Sequence, residues 1–350
     1  MNKKFSYPKE KIHVLLLENV DEVAKKTFVE EGYKVETISS SLNEKELIEK
    51  IKNVSIIGIR SKTILNNKIL SNAKRLLAIG AFCIGTNQID LEFTKKKGII
   101  VFNAPYSNTR SVVEIVIGQI IFLIRNIVEK NNQMQKGIWE KNSNNSFEIR
   151  NKVLGIVGYG NIGSQLSTIA ESIGMKVIYY DKKEKLSLGN AKKYNSLNQL
   201  IKASNIISIH VDGKKENTNL IDKNEFEIMK KGTILINYSR GNIINISELK
   251  KNILSGKICG TAIDVFPKEP KNNKQKFSSI LIGLPNTILT PHIGGSTKEA
   301  QKNIGTFVPN KVIDFINTGA TQNSVNFPSI VLPELKNAHR FIHIHKNIPN

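Results

Sequence analysis

The sequence contains few cysteines. Among its 350 residues there are two, Cys83 and Cys259, and they do not form the closely spaced pairs that bind zinc. Two isolated cysteines argue against a secreted, disulfide-stapled domain and favour a reducing compartment, so we expect a cytoplasmic protein without a metal site. Cys83 is expected to be a small buried residue rather than a nucleophile, because no base can be placed beside it.

Long apolar stretches are also missing. The nearest candidate, residues 112–128, is interrupted by Glu114, Gln119, Arg125 and Asn126, and no run reaches the length of a membrane span. Near the N-terminus the apolar residues 13–17 are too few for a signal peptide. We therefore expect no membrane partner.

Arginine is scarce as well. The net charge is +21, yet only 7 of the 51 basic residues are Arg, and the lysines are spread over the whole length. Arginine is the residue that contacts bases and phosphates through two parallel hydrogen bonds. Basic charge without arginine supports only non-specific attraction, so no nucleic-acid partner is expected.

A dinucleotide-binding pattern occupies residues 153–181. A short apolar strand precedes G-x-G-x-x-G, a helical pattern follows over residues 162–173, and a second apolar strand ends in an acid. Gly158 permits the tight turn, Gly160 lets the backbone approach a pyrophosphate, and Gly163 lets the helix pack closely on the strand. Asp181 is placed to accept hydrogen bonds from ribose hydroxyls, which favours NAD over NADP, although Lys182 and Lys183 weaken that preference.

Strands and helices alternate along the chain. Strands are expected at residues 12–17, 33–38, 55–59, 76–79, 99–102, 206–210, 233–236, 260–263 and 287–289. Short apolar strands that alternate with helices predict an α/β protein with parallel sheets covered on both faces. A helix over residues 111–128, which Asn108 or Thr109 can cap, is apolar on nearly every side and predicts a subunit interface. The polar residues 131–150 that follow are expected to be irregular.

Polar residues follow three strands of the second half. Arg240, Glu269 and His292 all come shortly after predicted strands, where this class of fold binds ligands. The trio suits hydride transfer on a 2-oxo or 2-hydroxy acid. Arg240 would hold the substrate carboxylate, His292 would transfer a proton, and Glu269, if it pairs with the imidazole, would favour the protonated histidine. Each alone could be an ordinary surface residue, but together they favour catalysis. Arg60 also follows a predicted strand, and position alone leaves it open between a ligand-binding and an exposed loop residue.

Six sequence blocks carry a resemblance to a known family. They are residues 78–90 (AIGAFCIGTNQID), 102–112 (FNAPYSNTRSV), 158–163 (GYGNIG), 239–241 (SRG), 262–270 (AIDVFPKEP) and 290–297 (TPHIGGST). With them the chain resembles the D-2-hydroxyacid dehydrogenases over nearly its whole length. The first two blocks point to the phosphoglycerate branch of that family.

The resemblance implies a function and a set of residues. The implied reaction is the NAD-dependent oxidation of 3-phospho-D-glycerate to 3-phosphohydroxypyruvate. Another D-2-hydroxyacid as substrate and an NAD-binding protein without catalysis remain open alternatives. The implied catalytic residues are Arg240, Glu269 and His292. The implied cofactor contacts are Gly158, Gly160, Asn161, Ile162, Gly163, Asp181, Tyr238, Ser239, Arg240, Asp264, His292, Gly294 and Gly295, and the implied substrate contacts are Arg60, Ser61, Asn108 and Lys141.

The family also implies a domain arrangement. A discontinuous, flavodoxin-like substrate domain would comprise residues 1–107 and 297–336, and a Rossmann-type NAD-binding domain residues 108–296, with a cleft between them. Residues 337–350 resemble the opening strand of the family's regulatory ACT domain, cut before its first helix, so this tail is expected to be loose or docked on the body. A homodimer is expected.

The sequence departs from the family pattern at several positions near the expected cofactor site. Tyr238 stands where a small residue is usual and would crowd the cofactor, Asn161 replaces a histidine, and Asp212 replaces a proline and adds an acid. Ser39 or Ser40 occupies a region where a lysine assists phosphate binding in the family.

Overall fold

A computed structural model describes residues 7–270, 274–333 and 345. The chain divides into two compact units, Met1–Asn108 with Lys298–Asn350, and Thr109–Thr297. We call them unit 1 and unit 2. The proposed ACT-like strand at residues 341–350 lies outside the described residues, apart from the isolated His345.

Unit 1 is a five-stranded parallel sheet with the strand order β2-β1-β3-β4-β5. This order is that of flavodoxin-like folds. The strands are β1 (His13–Leu17), β2 (Lys34–Ile38), β3 (Ile56–Ile59), β4 (Ala78–Ala81) and β5 (Ile100–Phe102). The helices are α1 (Glu22–Glu30), α2 (Glu44–Ile51), α3 (Asn67–Leu70), α4 (Leu91–Lys96) and α11 (Lys298–Thr318).

The sheet of unit 1 is covered on both faces by apolar side chains, in two separate core clusters. The cluster on one face includes Ile304, Val308 and Val312 of α11, so the returning chain completes this core. At the N-terminal ends of the helices, Asp21 and Asn43 accept backbone N–H bonds as N-caps, which fixes where α1 and α2 begin.

Unit 2 is a seven-stranded parallel sheet with the order β12-β11-β10-β9-β6-β7-β8. Its strands are β6 (Val153–Val157), β7 (Lys176–Tyr180), β8 (Lys192–Lys193), β9 (Ile206–Ile209), β10 (Thr233–Asn237), β11 (Ile258–Ile263) and β12 (Thr287–Leu289). Its helices are α5 (Thr109–Ile124), α6 (Ile127–Gln135), α7 (Asn161–Ser172), α8 (Leu197–Ala203), α9 (Lys223–Ile228) and α10 (Ile246–Leu254). The two doubly wound parallel sheets confirm the predicted fold class.

The expected single helix over residues 111–128 was wrong at its C-terminal end. α5 ends at Ile124, Asn126 adopts a left-handed conformation with φ 51°, and α6 then begins at Ile127. Asparagine tolerates this conformation better than most residues with a Cβ, which allows the break. α6 also extends to Gln135, so the segment expected to be irregular from residue 131 is helical at its start.

The expected cap of α5 was also wrong. The side-chain oxygens Asn108 Oδ1 and Thr109 Oγ1 are buried and have no hydrogen-bond partner among the described residues.

No single described helix is long and apolar enough to cross a membrane. α5 and α6 meet that criterion only as a pair, and the pair is bent by 69°.

Candidate active site

The glycine-rich loop between β6 and α7 contains two glycines that the fold itself requires. Gly158 has φ +92°, and a Cβ there would lie 2.4 Å from the carbonyl oxygen of His210. A Cβ on Gly163 would lie 2.2 Å from the carbonyl oxygen of Gly158. Both contacts are impossible for any other residue without backbone movement. The predicted tight turn and the predicted close helix–strand packing are therefore confirmed.

Gly160, between them, has no such structural reason. Its φ is −85°, and no described atom lies within 4 Å of the position that a Cβ would take. The same residue is the N-cap of α7 and offers no side chain to the first backbone N–H groups of the helix. Open space beside Gly160, at the positive end of a helix without a side-chain cap, fits an anionic group such as a pyrophosphate.

The carboxylate of Asp181 is held in place at the end of β7. Its Oδ2 accepts the backbone N–H of Tyr159 at 2.8 Å, and its Oδ1 accepts that of Lys183 at 2.8 Å. It borders a groove of about 230 Å³ whose walls include Gly158, Gly160 and His210. An acid fixed at the rim of such a groove fits the adenosine ribose of a dinucleotide.

Two other charged residues on this groove, Lys182 and Asp212, have partners that also line it. Lys182 Nζ lies 3.0 Å from Asn217 Oδ1 and 3.6 Å from Glu216. The carboxylate of Asp212, the acid that departs from the family pattern, accepts from Asn217 Nδ2 at 2.8 Å and lies 3.2 Å from Lys214 Nζ. The charges of Lys182 and Asp212 are thus paired within the protein.

Glu269 and His292 form the pair on which the expected role of Glu269 depends. His292 Nδ1 donates to Glu269 Oε2 at 2.8 Å, and the backbone N–H of Phe266 donates to the other oxygen, Oε1, at 3.1 Å. The hydrogen bond that His292 donates to Glu269 raises the pKa of His292 above its ordinary value against the opposing effect of burial. Burial would raise the pKa of Glu269, but the bond and charge of His292 hold it below its usual range. The pair therefore favours an imidazolium beside a carboxylate.

Asp264 holds the turn that carries His292. Its carboxylate is 2% exposed and accepts three hydrogen bonds, from Thr290 Oγ1 at 2.6 Å and from the backbone N–H groups of Ile293 and Gly294, each at 2.8 Å. His292 itself has φ 55°, a conformation that is uncommon for a residue with a Cβ. The three bonds to one buried carboxylate fix this turn, and the charge of Asp264 also raises the pKa of His292.

Arg240 lies at the end of a turn that follows β10. Asn237, 1% exposed, accepts the N–H and the hydroxyl of Ser239 at 3.0 and 2.7 Å and donates to the Arg240 carbonyl at 3.0 Å. Arg240 Nη1 donates to the Ser239 carbonyl at 2.6 Å, which leaves its other N–H groups for a ligand. Its charge lowers the pKa values of both Glu269 and His292, so the three side chains share one electrostatic environment.

His210 has a different environment from His292. Its Nε2 is 2.8 Å from Ser208 Oγ, and burial lowers its pKa to about 3. A histidine that stays neutral throughout the physiological range cannot act as a proton donor, which leaves His292 as the histidine of this site that titrates.

Tyr238 lies in the core of unit 2. Its side chain is 6% exposed and packs against Gly294, where a Cβ would be 2.7 Å from the ring. The ring therefore does not project into the groove, and only the backbone of Tyr238 remains a candidate cofactor contact. Ser239 is buried like Tyr238, whereas Gly295 is half-buried.

The predicted substrate residues are distributed over both units. In unit 1, Arg60 and Asn108 are half-buried and Ser61 is exposed. In unit 2, Lys141 is exposed in the irregular segment after α6. Sequence reasoning missed Asn237 and Thr290, although an asparagine two residues before a serine at a strand end is a typical turn signal.

Comparison with known proteins identifies the family. Residues 117–294 match the model described as D-isomer specific 2-hydroxyacid dehydrogenase, NAD binding domain. This chain belongs to that family. Residues 117–294 accordingly form its NAD-binding domain, and NAD is its cofactor.

Named relatives support this assignment over the whole chain. The chain is 50% identical over 349 residues to a D-3-phosphoglycerate dehydrogenase of Dictyostelium discoideum. The alignment covers 100% of this chain and 86% of the relative. A protein of the same name from Haemophilus influenzae is 47% identical and covers 100% of this chain and 85% of the relative. Among solved structures, a D-lactate dehydrogenase of Aquifex aeolicus, complexed with NAD and lactic acid, superimposes with a TM-score of 0.79 at 27% identity. It covers 90% of this chain and 100% of that one.

Proposed function

We propose that this dehydrogenase oxidises 3-phospho-D-glycerate to 3-phosphohydroxypyruvate with NAD, the first step of L-serine biosynthesis. The relatives that share about half of its residues carry the name of that activity. The observation that carries the proposal of catalysis is the 2.8 Å bond between Glu269 and His292, within the electrostatic reach of Arg240. A protein that only bound NAD would need neither the pair nor the raised pKa.

The proposed roles follow from the contacts. His292 uses Nδ1 for Glu269, which leaves Nε2 to accept the proton of the substrate hydroxyl. Glu269 stabilises the imidazolium that forms, and Arg240 holds the substrate carboxylate with its remaining N–H groups. NAD, when bound, would supply the acceptor for the hydride of C2. The substrate C2 thus loses a hydride and its hydroxyl oxygen loses a proton to His292; in the reverse direction protonated His292 returns the proton to that oxygen.

The cofactor would be held by unit 2 residues. The N–H groups at the start of α7, with Gly160 beside them, would contact the pyrophosphate, and Asp181 would accept hydrogen bonds from the ribose hydroxyls. The same fixed carboxylate would repel a 2′-phosphate, which favours NAD over NADP. Lys182 and Lys183 also line the groove and weaken that preference, although Lys182 lies 3.6 Å from Glu216 and 3.0 Å from Asn217.

Unit 1 is proposed as the substrate-binding domain, with Arg60, Ser61 and Asn108, and with Lys141 from unit 2. Three of these side chains are cationic or amide donors, which suit a phosphorylated acid.

We also propose a homodimer in the cytoplasm. Large apolar side chains remain exposed on α5, α6 and the segment after them, among them Phe122, Met134, Ile138, Trp139 and Phe147. Such a group of exposed apolar residues is typical of a subunit interface.

The test is a comparison of substrates with the purified chain and NADH. The reduction rate with 3-phosphohydroxypyruvate should exceed the rates with hydroxypyruvate and pyruvate, measured as kcat/KM. A preference for the unphosphorylated acids would assign the chain to another D-2-hydroxyacid. Binding of NADH without turnover of any of them would indicate an NAD-binding protein without catalysis.

A further inference from the structure

Glu18 is a buried acid in unit 1 that follows directly after β1. It follows four apolar residues of the core and, although it is an acid, is itself only 6% exposed. A buried carboxylate is unfavourable unless its oxygens receive hydrogen bonds. The groups that donate these hydrogen bonds therefore indicate the role of Glu18.

All the side-chain bonds of Glu18 go to one loop, the segment after β3. Its Oε1 accepts the backbone N–H groups of Arg60 at 3.2 Å and Thr63 at 2.7 Å, and its Oε2 accepts that of Lys62 at 2.9 Å. Among residues 7–270 and 274–333 it forms no ion pair, so these three N–H groups are what offsets its buried charge. Charge-assisted bonds of this kind are stronger than neutral ones.

The backbone around Glu18 is held in an unfavourable conformation. Glu18 has φ 65°, a region that residues with a Cβ rarely occupy, and its neighbour Asn19, of a type that tolerates this region better, has φ 52°. Strain of this kind persists only where the surrounding structure imposes it, and it occurs most often at functional sites. Here the residue with this conformation is the one whose carboxylate binds the loop of Arg60.

The same loop is fixed from its other side. Gln88 Nε2 donates to the carbonyl oxygen of Arg60 at 2.8 Å and is also 3.2 Å from the carbonyl oxygen of Gly85. Both backbone groups of Arg60 are therefore occupied, while its side chain is only half-buried and that of Ser61 is exposed. An anchored backbone with outward side chains is what preorganised binding requires.

We propose that Glu18 is a positioning residue for the substrate: it fixes the turn from Arg60 to Thr63 so that the Arg60 and Ser61 side chains are preorganised to bind a phosphorylated acid. This inference rests on the proposed function, which assigns Arg60 and Ser61 to the substrate. Glu18 acts through Arg60 and does not itself touch the substrate.

The first experiment measures Glu18→Gln on the full chain, because the substitution keeps the size of the side chain and removes its charge. The KM for 3-phosphohydroxypyruvate should rise about tenfold or more, since small misplacements of binding groups are costly. The kcat at saturation and the dissociation constant of NADH should stay within about twofold of wild type. Glu22→Gln is the matched control, because Glu22 is an exposed acid of the same unit, with 81% of its side chain accessible, and should change nothing.

A double-mutant cycle separates this inference from the proposed function. Arg60→Ala alone should raise the KM, and Glu18→Gln added to it should raise the KM little further, because Glu18 acts through Arg60. If Arg60→Ala raises the KM and Glu18→Gln does not, Glu18 has no positioning role and the proposed function stands. If Arg60→Ala has a wild-type KM, Arg60 does not bind the substrate and both ideas fail.

Loss of NADH binding in Glu18→Gln would reveal a general defect of the fold and would overturn the positioning role. Should Glu18→Gln not yield soluble protein, Glu18→Asp takes its place. Aspartate keeps the charge but is one methylene shorter and cannot reach all three N–H groups. It should raise the KM as well, and a wild-type KM for this variant would equally refute the inference.

Discussion

Units 1 and 2 each contain a buried carboxylate that fixes a loop at the end of a strand, and the two differ in what the loop carries. Glu18 follows β1 and accepts three backbone N–H groups from the loop of Arg60. Asp264 follows β11 and accepts two backbone N–H groups and one hydroxyl from the turn of His292. Each carboxylate accepts three hydrogen bonds from its loop, so we attribute the difference in consequence chiefly to the residue that the loop carries.

In the proposed reaction His292 transfers a proton, whereas Arg60 binds the substrate. The negative charge of Asp264 therefore contributes to the proton affinity of His292 as well as to its position, and its pKa rises accordingly. The charge of Glu18 can act on Arg60 only through position. We infer that damage to unit 2 should appear in kcat and in its pH dependence, and damage to unit 1 in the KM of the phosphorylated substrate.

The largest expected effect tests this division directly. His292→Ala should lower kcat by about 10² to 10⁴-fold, the usual contribution of a positioned general acid–base, and should leave the affinity for NADH nearly unchanged. Arg60→Ala should instead raise the KM and leave kcat within a few-fold. Steady-state kinetics with 3-phosphohydroxypyruvate and fluorescence titration with NADH measure both. A His292→Ala enzyme with near wild-type turnover would end the comparison, because the reacting proton would then come from another group.

Glu269→Gln sharpens the comparison through pH. The pKa of His292 is raised chiefly by its bond to Glu269, so the protonated form that reduction requires persists to higher pH than for an ordinary histidine. Without the carboxylate this pKa falls, and the alkaline limit of the reduction profile should move to lower pH. The loss of rate should accordingly be greater at alkaline than at acidic pH.

The matched control for Glu269→Gln is Glu18→Gln, which should leave the shape of the pH–kcat profile unchanged. A profile of Glu269→Gln that falls uniformly at every pH would mean that Glu269 orients the imidazole without setting its pKa.

Two glycines of unit 2 allow binding of the cofactor to be separated from stability. Gly160→Ala places a methyl group in open space, so it should leave the melting temperature unchanged and weaken NADH binding about tenfold or more by blocking a pyrophosphate. Gly163→Ala forces a Cβ to within 2.2 Å of the Gly158 carbonyl and should destabilise the protein by about 1–3 kcal/mol. Thermal unfolding and NADH titration of both variants provide the measurement. Unaltered NADH affinity in Gly160→Ala would place the pyrophosphate elsewhere.

How much of the fold and of the candidate site could be predicted from the sequence depends on how far apart in the chain the interacting residues lie. The fingerprint and its two structural glycines were predicted, because strand periodicity and short motifs record local conformation. The bond between Glu269 and His292 was considered only as a condition of their expected roles, because it joins residues 23 positions apart. The break at Asn126 was missed, since an asparagine within an apolar run does not reveal whether it will adopt positive φ.

The supporting bonds of Glu18 and Asp264 were not predicted either. They join residues 42 to 45 and 26 to 30 positions apart, across neighbouring strands. Only the assembled sheet specifies which loop lies opposite a strand-end acid. The same reason explains Tyr238, where the sequence predicted crowding of the cofactor and the fold buries the ring under α5.

The smallest effect is expected for Asp264→Asn, the variant that allows the two buried carboxylates, Asp264 and Glu18, to be compared directly. Asp264→Asn keeps the shape of the side chain, but its amide has one acceptor oxygen in place of two and turns an N–H₂ group toward a donor. The turn of His292 should loosen and the histidine should lose a nearby negative charge. We expect kcat to fall about three- to tenfold at saturating NADH, with the KM for 3-phosphohydroxypyruvate unchanged, the reverse of the pattern expected for Glu18→Gln. Glu227→Gln, an exposed acid of unit 2 with 62% of its side chain accessible, serves as the control. If Asp264→Asn raised the KM and left kcat unchanged, Asp264 and Glu18 would have the same role. The assignment of unit 1 to substrate binding and of unit 2 to proton transfer would then be wrong.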